Sequence, residues 1–474
     1  MEVKKIKIMA SYDWSMRYAT VEFLKFVDPL IRYKGKEYKL ELGRVIAEPL
    51  LCGQNLNDVA DFVVDRTTHW NDYYKCWAQQ ALNSGMSIAN NSTNFYAYDK
   101  HACYDLMARA LHPKDRLPIT LLLPQFYPWN EDLERQDMWE YEQKLIIDNT
   151  KNGFDERRRQ TDWKTVREKT QRAYRSQNKS KIVRELFYAK GNYIKDAVEK
   201  YFHNKFPLYL KKVAGGGGSD VFKVNSIEEL YQKYDATGGR AFNLQESIEN
   251  YDVFVRCLAV GPQVMPMRFL PDTPLHEHYG PEQLHLDKET QERLLNYVLF
   301  INSYYRWTYN SFEALLKDGQ IFPIDFANAC PDSNFTSLHV HFPWLICSKL
   351  RWFAYCAVVA KDMRLDMEQK DYLGILNDPK VSQLEKYELC VLKSFEYFEI
   401  DRFKEFCKEN FATLNEQMVK FYDERFDDVI RYAIGFSDFP EEEHETFYHR
   451  YKDMMEKYFR PNAMEYLTAP LDEA

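Results

Sequence analysis

A run of four consecutive glycines at 215–218 interrupts two strand-like segments of this chain. The apolar run PLYL precedes it and ends in Lys211 and Lys212, and the β-like VFKV follows. Four glycines cannot pack side chains, and they increase the entropy lost on folding. Such a loop of bare backbone N–H groups instead forms a concavity that binds anions, above all phosphate. A flexible linker is the alternative, although a linker is typically longer and Ser-rich.

Length and composition limit the class of protein. A chain of 474 residues exceeds one ordinary core, so we expect two or three domains. The net charge of -9 argues against nucleic-acid binding. The nine cysteines include no C-x-x-C pair, which indicates reduced thiols, a cytoplasmic protein and no structural zinc. The start of the chain lacks the apolar segment of a signal peptide, and no stretch approaches the ~18 apolar residues of a membrane span.

Residues 1–125 predict an α/β domain built on a parallel sheet. Apolar strands at KIKIMASYD, ADFVVDR and MSIANN alternate with segments of helical spacing, and LPITLLLPQ is again typical of a buried strand. Ser11 and Arg66 lie where two of these strands end. Parallel sheets bind ligands at that edge, so we expect either residue to face a substrate.

The rest of the chain divides into three parts. Residues 126–203 are highly charged and predict solvated helices held by i,i+4 pairs, with binding of an anionic macromolecule as the alternative. Residues 204–335 carry the glycine run and several strands, and Asp318-Gly319 predicts a type I′ hairpin between two of them. Residues 336–474 predict an accessory helical region rich in aromatic residues, which could form a homodimer interface or a substrate cap. For the paired histidines we expect packing or surface roles rather than metal ligation; they are His276, His278, His339 and His341.

The order of these motifs resembles the ATP-grasp superfamily, and its carboxylate–amine ligases in particular. The segment from Pro207 to Lys211 is similar to the "P-x-x-x-K" strand of that family, and Asp99-Lys100 is similar to its earlier "DK" helix start. The "P-x-T" of the family matches Pro118 to Thr120. The resemblance covers about residues 55–125 and 200–335, while the long charged insertion departs from it.

The resemblance implies a nucleotide site for ATP. Two lysines would neutralise the phosphates, and the glycine loop would cover them through its N–H groups. The backbone of an interlobe hinge would bind adenine, and an aspartate would bind the ribose; for that aspartate a role in a turn is the alternative. The implied residues are Lys100, Lys211, Gly215, Gly216, Gly217, Gly218, Ser219, Gln245, Glu246, Ser247 and Asp252.

Two arginines follow on the next strands. Arg256 interrupts the apolar strand VFVRCLAV, and Arg268 ends the following one, as in the related ligases. A buried arginine requires an anionic partner. A transferred phosphoryl group or a substrate carboxylate meets that requirement and would make both arginines catalytic, whereas a structural salt bridge is the alternative.

The resemblance also implies a Mg²⁺ site, which Mn²⁺ could share, formed by Glu313, Asp325 and Asn328. Carboxylate and amide oxygens are the ligands that Mg²⁺ prefers. The family has an "E-x-N" strand, whereas here the acid is Asp and the Asn lies one residue further on. Only a β-bulge would bring Asn328 to the face of Asp325, and Asp332 is the reserve ligand.

These parts imply an ATP-dependent ligase that activates a substrate carboxylate as an acyl phosphate for attack by an amine, with release of ADP and phosphate. The substrates would be small-molecule or peptide carboxylates and amines. The alternatives are an ATP-grasp-type kinase that phosphorylates a small molecule, and a nucleotide-binding regulatory protein without ligase activity. The implied fold class is α/β and α+β, with a preATP-grasp parallel sheet domain, ATP-grasp lobes and an accessory helical region.

Overall fold

The computed structural model describes residues 2–9, 14–67, 71–90, 100–123, 190–213, 220–236, 241–328, 330–363 and 369–468. The predictions for Ser11, the four glycines at 215–218 and Ser219 lie outside the described residues. So does most of the predicted charged insertion. The described chain forms two compact units, a larger one of 1–117 with 248–474 and a smaller one of 118–247. The predicted division at residues 125, 203 and 335 stays a prediction.

The larger unit begins with a five-stranded sheet whose order is β2-β3-β1-β4-β5. Strands β3, β1, β4 and β5 run parallel, and β2 is an antiparallel edge strand. The predicted parallel sheet of an α/β domain is thereby confirmed. Its strands are β1 (Glu2–Ile8), β2 (Ile31–Tyr33), β3 (Lys36–Arg44), β4 (Phe62–Val64) and β5 (Ile88–Ala89), and its helices are α1 (Trp14–Val27), α2 (Asp72–Asn83) and α3 (Lys100–Ala110).

The smaller unit has an antiparallel sheet in the order β6-β9-β7-β8. Its core packs apolar side chains of the sheet against both helices, with Leu210 and Leu244 fully buried beside Ile194 and Leu230. Its elements are β6 (Thr120–Leu123), β7 (Leu208–Lys212), β8 (Val221–Val224), β9 (Phe242–Glu246), α4 (Lys190–Phe202) and α5 (Ile227–Ala236).

One strand prediction is wrong. The run LPITLLLPQ was expected as a buried strand of the parallel sheet, whereas β6 pairs antiparallel with β9, and Leu122 is 47% exposed. A short apolar run carries no signal that tells a buried parallel strand from the edge of an antiparallel sheet.

A second antiparallel sheet belongs to the larger unit, in the order β11-β10-β12-β13. Asp318 and Gly319 connect β12 to β13 and have φ angles of 52° and 74°. Positive φ at both central residues is the property of a type I′ turn, so the hairpin predicted from Asp-Gly is confirmed. The elements are β10 (Val253–Val260), β11 (Gln263–Arg268), β12 (Tyr309–Lys317), β13 (Gln320–Asn328) and the buried helix α6 (Lys288–Tyr305).

The predicted helical region is also confirmed. Helix α8 is buried on all sides because it packs against β1, β4 and β10 as well as against C-terminal helices. Residues 400–435 form two helices that are separated at 411–413. The helices are α7 (Phe335–Leu338), α8 (Phe342–Val359), α9 (Gln369–Asn377), α10 (Gln383–Phe398), α11 (Ile400–Asn410), α12 (Leu414–Gly435), α13 (His444–Met454) and α14 (Ala463–Leu467). Among the described residues, no helix combines the length and apolarity needed to cross a bilayer.

Candidate active site

The predicted metal ligands share one face of the second sheet. Glu313 of β12 lies opposite Asp325 of β13, and the pairing shifts register on both sides of this pair. The shifts place Asn328 opposite Ser311, and Asn328 Nδ2 donates to Ser311 Oγ at 3.1 Å. Cross-strand partners share a face, so Glu313, Asp325 and Asn328 point to the same side. The irregular pairing therefore acts as the β-bulge that the extra residue between Asp325 and Asn328 required.

Helix α3 brings Lys100 to this face. Its Nζ donates to Asp325 Oδ2 at 2.5 Å, and the lysine side chain is 13% exposed. One turn later on the same helix face, the Tyr104 hydroxyl donates to the Ile324 carbonyl at 2.7 Å, which fastens α3 to β13. Burial disfavours the Lys100 charge, but the attraction of Asp325 and Glu313 outweighs it and raises the Lys100 pKa above its ordinary value.

Arg256 faces the same side from β10. It lies opposite Glu313 in the register, and its Nε is 3.4 Å from Glu313 Oε1. Its guanidinium lies 5.1 Å from the Phe269 ring centre and 5.7 Å from that of Tyr279. Burial disfavours the Arg256 charge, yet the attraction of Tyr279 and of nearby carboxylates, including Asp332, raises its pKa above the ordinary value. Both rings lie within the distance of a cation–π attraction to the guanidinium.

The structure does not bring Arg268 together with Arg256. Arg268 is the last residue of β11, and it is exposed. It pairs with Val255, the residue before Arg256. Because side chains alternate along a strand, this register places the two arginines on opposite faces. A catalytic role for Arg268 stays a prediction.

The donor set of this face suits a divalent cation. Within the described ranges, no three His, Cys, Asp or Glu side chains form a metal cluster. The predicted set consists of two carboxylates and one amide. Three carboxylates (Glu313, Asp325 and Asp332) act on Arg256, and Lys100 contacts Asp325. The hard oxygen donors of the predicted set fit Mg²⁺.

In the smaller unit, Lys211 and Lys212 have different surroundings. Lys212 Nζ lies 3.1 Å from Asp220 Oδ2 in an ion pair. Lys211 pairs with Asn243 of β9, and its Nζ lies 5.7 Å from the centre of the Tyr209 ring. The nucleotide-binding role of Lys211 stays a prediction.

The predicted adenine hinge is the end of β9. Gln245 is buried and donates through Nε2 to Thr120 Oγ1 at 2.9 Å. The Glu246 backbone N–H donates to the Ile119 carbonyl, and Glu246 Oε2 accepts from the Ile119 N–H at 3.0 Å. These contacts fix the backbone that leads into Ser247, which is partly exposed. Adenine binding by this segment stays a prediction.

Asp252 lies at the hairpin end of the second sheet. Its Oδ2 accepts from the Asp318 N–H at 2.9 Å, and its own N–H donates to the Leu316 carbonyl at 2.8 Å. Four strand residues, or about 13 Å, separate it from Arg256 along β10. The turn role that the sequence left open is thus observed, and ribose binding stays a prediction.

Sequence reasoning missed the aromatic pair around Arg256 and its support. Tyr279 is buried, and its backbone carbonyl accepts from His339 Nε2 at 2.8 Å. The next carbonyl, that of Gly280, accepts from His341 Nε2 at 2.9 Å. The two histidines therefore have packing roles. A loop without periodicity gave no sign that Tyr279 would reach Arg256.

No protein-family model matches the sequence, and a comparison with curated proteins found no relative. Solved structures do match, and they include ATP-grasp ligases, the family that the sequence motifs resemble.

Three of these structures illustrate the likeness. The RimK-domain ATP-grasp protein of Sphaerobacter thermophilus is 12% identical, with a TM-score of 0.39 over 69% of this chain and 92% of that chain. The D-alanine–D-alanine ligase of Bacillus anthracis complexed with ATP is 12% identical, with a TM-score of 0.37 over 85% and 99%. The ligase PsnB, complexed with the precursor peptide PsnA2 and AMPPNP, is 11% identical, with a TM-score of 0.41 over 69% and 90%. Because each TM-score is low, we infer function from this chain's own residues.

Proposed function

We propose that this chain is an ATP-dependent ligase that activates a substrate carboxylate as an acyl phosphate for attack by an amine. The main support is the sheet face described above. Two mostly buried cations, Lys100 and Arg256, lie there beside the carboxylates of Glu313 and Asp325. Phosphoryl transfer depends on such positioned charges rather than on a covalent nucleophile.

Glu313, Asp325 and Asn328 would hold Mg²⁺ on this face, with Asp332 as a further carboxylate close to Arg256. Mg²⁺, when bound, would polarise phosphoryl oxygens and offset their negative charge. Lys100 is already in contact with one of these carboxylates, so its ammonium is in place to bind a phosphate oxygen beside them. Its raised pKa keeps it charged throughout the neutral range.

Arg256 would bind the substrate carboxylate or the transferred phosphoryl group. Its planar guanidinium can donate two parallel hydrogen bonds to either anion. Cation–π contacts with the rings of Phe269 and Tyr279 stabilise the guanidinium beside Glu313.

The proposed reaction has two displacement steps. A carboxylate oxygen attacks the γ-phosphorus, the bond to the bridging oxygen breaks, and ADP leaves with the electron pair. The amine nitrogen then attacks the acyl carbon, the carbon–oxygen bond to phosphate breaks, and the nitrogen loses a proton to solvent. The products are an amide, ADP and phosphate.

The nucleotide-binding roles that the sequence predicts for Lys211, for the four glycines at 215–218 and for the hinge at Gln245 to Ser247 belong to this proposal. The acid and the amine could be small molecules or peptides. PsnB, which matches this chain, was solved with a precursor peptide, so peptides belong among the acids to test.

All nine cysteines are free thiols, which supports a cytoplasmic protein. A homodimer stays a prediction.

The proposal is tested by incubating the full chain with Mg-ATP and a panel of acids and amines, with ADP and phosphate measured separately. We expect phosphate release that requires both an acid and an amine. Asp325→Ala and Lys211→Ala should each abolish it, while Asp371→Ala, which removes the acid of an exposed pair with Lys393, should not.

Two other results would contradict the ligase. ADP formation without free phosphate would identify a kinase. Nucleotide binding without turnover for any acid and amine would identify a regulatory protein.

A further inference from the structure

A short segment extends the second antiparallel sheet beyond its edge strand β11. Residues 278–280 run antiparallel to the end of β11, where Tyr279 forms a bridge with Phe269, the residue after the strand. The Gly280 N–H also donates to the Arg268 carbonyl at 2.9 Å. Hydrogen bonds to the sheet thus fix the backbone of Tyr279.

Tyr279 lies on the same face of the sheet as the proposed active site. The Phe269 N–H donates to the Phe254 carbonyl at 2.8 Å, which continues the pairing of β11 with β10. Phe254 and Arg256 are two positions apart on β10, so their side chains share a face. Cross-strand partners share a face as well, which places Tyr279 on the side of Arg256. Glu313, the β12 partner of Arg256, lies on that side too.

The Tyr279 ring packs beside the Arg256 guanidinium. Its centre lies 5.7 Å from the guanidinium carbon and 5.7 Å from the centre of the Phe269 ring, which it meets edge to face. Tyr279 is only 3% exposed, whereas the side chains of Arg256 and Glu313 are 15% and 20% exposed. The ring is therefore enclosed, while the charged groups beside it remain accessible to a ligand.

The Tyr279 hydroxyl forms no hydrogen bond to any residue that the structure describes. Other buried tyrosines use this group, as Tyr451 does when its hydroxyl donates to the Thr336 carbonyl at 2.7 Å. A buried hydroxyl usually has a partner, because an unpaired one loses its hydrogen bond to water on folding. The Tyr279 hydroxyl is therefore a donor that a ligand on this face can use.

The surroundings of Tyr279 keep its hydroxyl protonated. Burial raises the Tyr279 pKa above its ordinary value, Arg256 opposes this rise, and the carboxylates of Asp332 and Glu313 add to it. The hydroxyl is thus within electrostatic reach of the charges of the proposed active site. It stays a hydrogen-bond donor throughout the neutral range.

We propose that Tyr279 is a substrate-binding residue, whose hydroxyl donates a hydrogen bond to the anion that Arg256 binds. The inference rests on the proposed function, which supplies that anion as the reacting carboxylate or the transferred phosphoryl group. Arg256 would balance the charge of the anion, and Tyr279 would add a directed contact that helps to orient it. Hydrogen bonds to charged groups are among the stronger ones in proteins.

The contact is tested on the full chain without nucleotide, with inorganic phosphate and acetate as separate probes. Tyr279→Phe removes the hydroxyl and keeps the ring beside Arg256. Phosphorus NMR measures phosphate binding, and saturation-transfer NMR measures acetate binding. We expect Tyr279→Phe to weaken the binding of at least one probe by about tenfold or more, and Arg256→Lys to weaken the same probe. The probe that responds identifies the anion that Arg256 binds.

Two further measurements separate binding from packing. Tyr448→Phe is the matched control, because the Tyr448 ring centre lies 3.9 Å from the guanidinium carbon of Arg431 in the helical region. This variant should leave the binding of both probes unchanged. The midpoint of urea unfolding should not fall in Tyr279→Phe, since the variant removes a buried hydroxyl that has no partner. A lower midpoint with unchanged probe binding would show a structural role and overturn the inference.

Equal binding of both probes by the wild type and Tyr279→Phe also overturns the inference, as does the absence of probe binding in the wild type. A parallel titration with Mg-AMPPNP separates the two proposals. Nucleotide binding without Tyr279-dependent probe binding overturns the contact alone. Tyr279-dependent probe binding without nucleotide binding supports the contact and contradicts the ligase.

Discussion

The Lys100 ammonium lies 2.5 Å from Oδ2 of Asp325, although 225 positions separate the two residues in the chain. Helix α3 and strand β13 bring them together, and the Tyr104–Ile324 hydrogen bond one helical turn away maintains the contact. The pair puts a permanent positive charge beside the carboxylates that we propose as Mg²⁺ ligands.

Asp325→Asn should lower ATP turnover by about 100-fold or more, because it removes a charged oxygen donor and keeps the side-chain size. It should also reduce the free energy of unfolding by about 1–3 kcal/mol, since the mostly buried Lys100 loses its charged partner. Phosphate release and urea unfolding measure the two effects. Asp371→Asn is the matched control for an exposed acid–lysine pair. Wild-type turnover in Asp325→Asn would refute the site assignment.

Arg256→Lys should lower turnover by about 100-fold, because a lysine keeps the charge but loses the two-pronged donor. Arg268→Lys should have a much smaller effect, since the register places Arg268 on the other face of the sheet. Steady-state kinetics of both variants makes the comparison. If Arg268→Lys has the larger effect, the face of Arg256 is not the catalytic one.

Lys211→Ala should weaken Mg-AMPPNP binding by about tenfold or more, as expected for a lost contact to phosphate. Lys212→Ala should change it little, because Lys212 already forms an ion pair with Asp220. Isothermal titration calorimetry provides both dissociation constants. Equal losses in the two variants would show only a general effect of charge.

Gly261→Ala should destabilise the larger unit by about 3 kcal/mol or more. Gly261 has a φ angle of 59°, and a Cβ there would overlap the Trp352 ring. Gly319→Ala is the control: its φ is 74°, but a Cβ would meet nothing within 4 Å, so we expect a loss of only about 1 kcal/mol. Chemical denaturation measures both. Similar losses would show that Trp352 yields to the added methyl group.

Stability should fall as the pH drops from about 6.5 towards 4, because burial lowers the pKa of His339 to about 3 and that of His341 to about 4. In this range the unfolded chain binds protons at these histidines and the folded chain does not. The free energy of unfolding therefore decreases by about 1.4 kcal/mol per pH unit for each histidine. His341→Gln, which can still donate to Gly280, should show a shallower slope in urea unfolding at a series of pH values. An unchanged slope would contradict a neutral buried His341.

Much of this fold follows from local patterns in the sequence. The Asp318-Gly319 turn, the parallel strands and the C-terminal helices were predicted because turn chemistry and hydrophobic periodicity act over a few residues. The partner of β6 was not predicted, since an apolar run of four residues does not specify the sheet that it joins.

The candidate site shows the same limit. Lys100, Asp325 and Arg256 were predicted from segments that resemble motifs of the ATP-grasp ligases, and the structure brings them to one sheet face. Tyr279 and His339 were not predicted as neighbours of this face, because their roles depend on contacts between distant segments. The spacing of Asp325 and Asn328 showed that a β-bulge was required, but it could not show the register shifts on both sides of the Glu313–Asp325 pair. Those shifts depend on how two strands pair.

Isothermal titration of the full-length chain with AMPPNP, with and without Mg²⁺, tests the central claim most directly. The account predicts binding that Mg²⁺ strengthens in the wild type and no Mg²⁺ effect in Asp325→Asn. Absence of measurable AMPPNP affinity in the folded wild type, or an undiminished Mg²⁺ effect in Asp325→Asn, would contradict it.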